Sequence, residues 1–254
     1  MKRLLGLLAL AVLGTVGRAA ETVAVAAASN LVYVLDDLHA EFQRTEPAVR
    51  LTKAAGSSGS LFAQIKHGAP FDVFLSADTE YPRQIVASGL GEAKSQRTFA
   101  TGQLVLWTMR SDLDVDDIAA AVRHPSVKKI AIAQPQTAPY GRAAQAALEQ
   151  LGGWADAQRK LVVGENITQT AQFVETGNAD AGFVAQSLVA SPRLATKGRW
   201  HAVPASLHAG VSLDHAAVLT TRGATNAAAR RYLDFLATPA AKKILRAHGY
   251  GVPP

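Results

Sequence analysis

Short runs of apolar, β-branched or small residues alternate with amphipathic segments along most of the chain, and this rhythm narrows the fold more than any other feature. It is the pattern of an α/β protein with mostly parallel strands joined by helices. Thr22 to Ala28 reads as the first strand, and Leu31, Val34, Leu35, Leu38 and Phe42 follow it at helical spacing. A second strand from Val49 leads to the loop Gly56-Ser57-Ser58-Gly59-Ser60 and a helix from Leu61 to Lys66. Phe71 to Leu75 is a third strand, and Thr79 to Ser88 a helix stopped by Gly89. The rhythm continues with strands at Leu104 to Met109, Lys129 to Ala133, Leu161 to Val163, Ala181 to Val184 and Ala216 to Thr220. Helices are expected at Asp116 to Val122, Arg142 to Leu151, Gln169 to Thr176, Asn226 to Leu236 and Ala240 to Ala247.

The middle of the chain carries its own strand–helix series between the apolar strands near residues 104 and 216. The expected organisation is therefore two α/β lobes joined by two crossing segments. Residues 21–102 with 216–254 form the first lobe, and residues 103–215 form a second lobe inserted into it.

Residues 1–20 read differently. Lys2 and Arg3 precede an apolar run from Leu4 to Val16, and Gly17 and Ala19 suit a small-residue cleavage site. This is the pattern of a secretory signal peptide cut after Ala19 or Ala20, and it implies a soluble periplasmic protein. The chain has no cysteine, which rules out disulfides and a lipid-modified cysteine. Of 26 basic and 20 acidic residues, Lys2, Arg3 and Arg18 lie in the leader, leaving 23 against 20 and a net charge of +3. Those charges are dispersed, without a basic stripe interleaved with aromatics, so nucleic acid is not an expected partner.

Ligands of open α/β sheets bind at the carboxyl ends of strands. Four such junctions stand out: Ala28-Ser29-Asn30, Gly56 to Ser60, Ala138-Pro139-Tyr140-Gly141, and Glu165-Asn166-Ile167-Thr168. Ser29 or Asn30 is placed to cap the first helix. Helix starts attract anions through unpaired N–H groups and the helix dipole, and hydroxyls add donors without charge. Only Glu165 and Arg142 bring formal charge close by, and the first three loops carry no carboxylate. The pattern suits a cleft that holds a small dianion with neutral donors. Such a site favours a fully ionised oxyanion, which only accepts hydrogen bonds, over a phosphate that still carries a proton.

At these junctions the chain resembles the periplasmic molybdate-binding proteins of ABC transporters. The resemblance rests on AAASN, AGSSGSLFAQIKHGAPFDVFLSAD, IAIAQPQTAPYGRAAQAAL and the C-terminal YLDFLATPAAKKILRAHGYGV, and it runs over nearly all of the chain beyond the leader. It implies a two-lobed fold of the type II periplasmic binding protein class, closing on a tetrahedral oxyanion. It further implies contacts from Ser29 and Asn30, from Ser58 with Ser57 as a further candidate, from Tyr140, and from the backbone at Ile167. The ligand implied is molybdate or tungstate, with molybdenum entering as the oxyanion and not through cation-ligating side chains. No cofactor is implied. The partner implied is an ABC transporter permease, and the receptor is expected to be a monomer. Many members place a tyrosine where this chain has Ala185, and a sub-group carries it in the APYG loop instead, as at Tyr140.

The alternatives are a receptor for sulfate or another tetrahedral oxyanion, an exported hydrolase, and a regulatory effector domain of the same fold. The hydrolase lacks support: there is no G-x-S-x-G elbow, cysteine nucleophile or H-E-x-x-H. His201, His208 and His215 recur every seven residues, but Pro204 and Gly210 interrupt any helix that would align them. The effector domain lacks a helix-turn-helix ahead of the first strand.

Overall fold

The computed structural model describes residues 21–254. The expected signal peptide, residues 1–20, lies outside the described residues. The strands and helices run β1 (Glu21–Ala28), α1 (Val32–Thr45), β2 (Val49–Gly56), α2 (Ser58–Lys66), β3 (Val73–Ser76), α3 (Glu80–Ala87), β4 (Arg97–Thr101), β5 (Leu104–Thr108), α4 (Ile118–Arg123), β6 (Ile130–Ala133), α5 (Pro139–Gln150), α6 (Trp154–Gln158), β7 (Leu161–Gly164), α7 (Ile167–Glu175), β8 (Ala181–Ala185), α8 (Gln186–Val189), β9 (Arg199–Ala202), β10 (Asp214–Leu219), α9 (Thr221–Ala224), α10 (Ala227–Phe235) and α11 (Pro239–Ala247).

Two five-stranded sheets result, ordered β2-β1-β3-β10-β4 and β7-β6-β8-β5-β9. In each, the first three strands pair in parallel, while β10 and β5 run antiparallel to both of their neighbours. The sheets are therefore mixed, where mostly parallel pairing was expected. The physical reason is that β5 and β10 enter a sheet from the other one, so no crossover helix ties either to the common direction. The edge strands β4 and β9 are absent from the sequence reading. Their sequences RTFAT and RWHA are short and largely polar, as befits edges that leave one side to solvent.

Register is what places the site. In the first sheet Ala28 of β1 stands opposite Gly56 of β2, so the carboxyl ends of these strands finish level. The residues that follow, Ser29-Asn30 and Ser57-Ser58, are thereby brought side by side. In the second sheet Ala133 of β6 stands opposite Gly164 of β7, which levels the ends that lead to α5 and α7. The alanines closing β1 are fully or almost fully buried. Their small side chains let the following turn sit close over the sheet. The strand β3 in the first sheet and the strands β5 and β6 in the second are buried along their whole length, so each sheet packs helices on both faces.

Helix starts fall earlier than the sequence pattern suggests. Ser58 to Ser60 and Pro139 to Gly141 are first turns, not loop. Proline at the first position of α5 is already set to a helical φ and gives up no bonded N–H. Among the described residues no helix is long and apolar enough to cross a membrane.

Candidate functional site

The loops at the carboxyl ends of both sheets meet across a small cavity of about 10 Å³. That is below the roughly 300–1,000 Å³ of a pocket for drug-sized molecules. Ser29, Asn30, Ser57, Ser58, Tyr140 and Ile167 all lie on its lining, and no lining residue carries a formal charge.

The donors are set up helix by helix. In α2 the Ser57 side chain is the N-cap, its Oγ accepting the Ser60 N–H at 3.3 Å and hydrogen-bonding the Ser60 hydroxyl at 2.7 Å. Gly59 N–H goes to Thr137 O on the opposite side at 2.8 Å. This leaves the N–H of Ser58, first residue of the helix, without an intrahelical partner. The Ser58 hydroxyl accepts Ala77 N–H at 3.0 Å, which keeps its hydrogen for donation. In α7 the Asn166 cap accepts from Thr168 N–H and Gln169 N–H at 3.0 and 3.1 Å, leaving the N–H of Ile167. In α5 no side chain caps the first turn.

Ser29 Oγ and Tyr140 Oη are buried with no hydrogen-bond partner. Buried hydroxyls are costly in that state, so two orphans lining one cavity mark a place where something else supplies the acceptor. Burial pushes the Tyr140 phenol well above its ordinary pKa, with Tyr250 adding to the effect, so it stays a donor. Ser29 caps no helix, contrary to the sequence expectation: neither the turn it opens nor α1 has a side-chain cap.

Asn30 is held differently. His215 Nδ1 donates to Leu213 O at 2.8 Å, and burial lowers the ring's pKa to about 4, so the ring is neutral near pH 7 and its Nε2 accepts. Asn30 Nδ2 donates to that Nε2 at 2.7 Å and to Tyr250 Oη at 2.9 Å. Both amide hydrogens are spent, and Oδ1 is buried without a partner.

Residues missed by the sequence reading sit behind and beside this wall. Ala77 also lines the cavity, at the end of β3. That strand end was as available as the four junctions considered. With it comes a nearby carboxylate, Asp78, whose oxygens are engaged by Ser76 Oγ (2.8 Å), Tyr81 N–H (3.2 Å) and Arg142 (2.5 Å). The lining therefore stays uncharged. Gly102, where the chain crosses between sheets, lies against Tyr140: a Cβ there would be 2.0 Å from Oη. His201, His208 and His215 do not converge, since His201 is on the edge strand β9, His208 in a 3-10 turn and His215 buried in β10. Among the described residues no group of three His, Cys, Asp or Glu could hold a metal.

A small cavity of neutral donors, closed between two α/β sheets, defines a solute-binding protein. The chain belongs to the bacterial extracellular solute-binding protein family, which it matches over residues 23–251. It is similar to the molybdate-binding protein ModA of Azotobacter vinelandii, with 38% identity over 99% of this chain and 98% of that one. It is 41% identical to ModA of Rhodobacter capsulatus over 91% of this chain and 89% of the relative. The solved structure of the A. vinelandii periplasmic molybdate-binding protein matches with a TM-score of 0.85 at 32% identity, covering 91% of this chain and 100% of that chain.

Proposed function

We propose that this chain is a molybdate receptor that delivers its anion to an ABC transporter, a binding protein and not an enzyme. The observation that carries the reading is the uncharged cavity in which Ser29 Oγ and Tyr140 Oη are buried without partners. An acceptor-only dianion supplies what both lack. Several hydrogen bonds to a charged acceptor offset the cost of taking it from water. The residues we assign to it are Ser29, Ser58 and Tyr140 through their hydroxyls, and Asn30, Ser58 and Ile167 through backbone N–H groups. Tyr140 then takes the place of the tyrosine missing at Ala185. Ser57 acts as the cap that holds α2. The similarity to the two ModA proteins supports molybdate, and tungstate, nearly equal in size, is expected to bind as well.

The lobes we assign are residues 21–102 with 216–254, and residues 103–215. The crossings beside Gly102 and Leu213 act as the hinge, a mode of closure shared by two-lobed receptors. The working site is the periplasm and the working form a monomer. One observation favours a protonated oxyanion instead: Asn30 Oδ1 is an acceptor without a donor.

Calorimetric titration with molybdate, tungstate, sulfate and phosphate in separate runs tests the assignment. Tight binding of molybdate and tungstate with little response to sulfate is expected. Equal sulfate binding would discard the molybdate reading, and preference for phosphate, strongest where it is monoprotonated, would install the second one.

A further inference from the structure

We propose that Asp78 and Arg142 form a clasp across the cleft that sets how long the closed receptor retains its anion. The inference rests on the reading of the cavity as the anion site.

Asp78 follows β3 on the first side of the cleft and is almost fully buried. Its Oδ1 is tied to its own side of the cleft by Ser76 Oγ and Tyr81 N–H. Its Oδ2 takes Arg142, which stands on α5 across the cleft, at 2.5 Å. The Arg142 side chain is about a third exposed. Its guanidinium also lies 5.4 Å from the centre of the Tyr81 ring and 3.4 Å from the Tyr81 hydroxyl. Tyr81 Oη in turn donates to Gln136 O across the cleft at 3.2 Å. None of Asp78, Tyr81 and Arg142 lines the cavity. Each is nevertheless fixed to a residue that does: Asp78 follows Ala77, and Arg142 lies two positions after Tyr140.

Opening the cleft would carry Arg142 away with α5 and leave Asp78, still held by Ser76 and Tyr81, as a little-exposed carboxylate without its cation. That penalty falls on the open state alone. A paired, partly buried charge loses more when one partner leaves than the pair contributes in water. The same separation would expose the anion to an uncompensated negative charge one residue from the cavity wall. Both effects oppose opening of the liganded form, and the loss of Arg142 alone leaves the open form that first meets the anion little changed. The clasp therefore acts on the dissociation rate.

The test is release of radiolabelled molybdate into an unlabelled chase, measured for the wild-type protein, Arg142→Gln, Asp78→Asn and the double variant. Asp78→Asn keeps an amide oxygen for Ser76 and Tyr81. Each single variant is expected to release molybdate about tenfold faster, and Arg142→Gln is expected to change the association rate less than twofold and to leave the melting temperature of the ligand-free protein unchanged. The double variant is expected to match the singles, because a pair can be broken only once. Arg142→Lys is expected to recover part of the retention. Unchanged release in both singles overturns the clasp. So does an Arg142→Gln effect that persists in full when Asp78 is already Asn, since Arg142 would then act on the anion directly. Failure of the wild-type protein to bind molybdate would instead sink the ligand assignment, and it is read separately in the first arm.

Discussion

Replacing Tyr140 by phenylalanine should move stability and affinity in opposite directions. The side chain is 2% exposed, and its hydroxyl is buried without a partner. In the closed form without ligand that hydroxyl has lost its hydration and gained nothing in return. Removing it should leave stability unchanged or raise it by about 1 kcal/mol. For a chain of this length that is roughly 2–4 °C in melting temperature. With an oxyanion bound, the same hydroxyl becomes a donor to a charged acceptor, worth about 1.5–3 kcal/mol. Its loss should raise Kd roughly 10- to 100-fold. The assays are calorimetric titration with molybdate and thermal unfolding of the ligand-free variant. A variant that is less stable yet binds as well as the wild type would refute the reasoning. It would mean that the hydroxyl has an internal partner and no role toward the ligand.

Ser58→Ala should weaken molybdate binding by about 1–3 kcal/mol and also lower stability, because the Ala77 N–H loses its acceptor; titration and unfolding of the same sample separate the two effects. Gly102→Ala should fold yet bind at least tenfold more weakly, since the glycine is not among the positive-φ positions while its Cβ would sit 2.0 Å from Tyr140 Oη and 2.8 Å from His215 Cε1; unchanged affinity would show that Tyr140 can yield without cost. Stability should fall as the pH drops below 6.5 and level off below about 4, because burial lowers His215 to about 4 in the folded state while the unfolded ring titrates at 6.5. The unfolded chain binds the extra proton in that window, which removes about 3 kcal/mol in all. His39, also lowered to about 4 by burial, acts in the same direction. Unfolding curves from pH 7 to 4 should show a smaller loss for His215→Gln than for the wild type.

Much of this was legible in the residues because it rests on local rules. Strand ends announced themselves through apolar runs that stop at Ser, Asn, Gly or Pro, and the positions of Ser29, Ser58, Tyr140 and Ile167 follow from those stops. Other features depend on contacts between distant parts of the chain. The amide of Asn30 cannot be oriented without His215, which lies 185 positions away. The Asp78 carboxylate escaped notice because its strand ends in FLSAD, with neither a glycine nor an obvious cap. The strands β4 and β9, RTFAT and RWHA, are short and mix charged and polar residues with apolar ones, so they offer no periodic apolar face to read. The reversal of β5 and β10 is a property of how the chain crosses between sheets, and nothing within either strand encodes it.

The caps explain why the site presents backbone donors in the places it does. A helix start has four unpaired N–H groups. In α7 the Asn166 side chain takes the second and third, and in α2 Ser57 and the carbonyl of Thr137 do the same. The first N–H is left over in each, and Ser58 and Ile167 supply it from opposite sides of the cavity. Because Thr137 belongs to the far side, the arrangement at α2 is complete only when the cleft is closed. An open receptor would have the N–H of Gly59 unpaired as well, and closure pairs it while leaving that of Ser58 without an intrahelical partner. In the proposed reading, anion binding and lobe closure are coupled through this single helix turn, which contains Gly59. A Cβ at that position would stand 2.9 Å from both Thr137 Cα and Thr137 O, so any side chain there would hold the two sides apart.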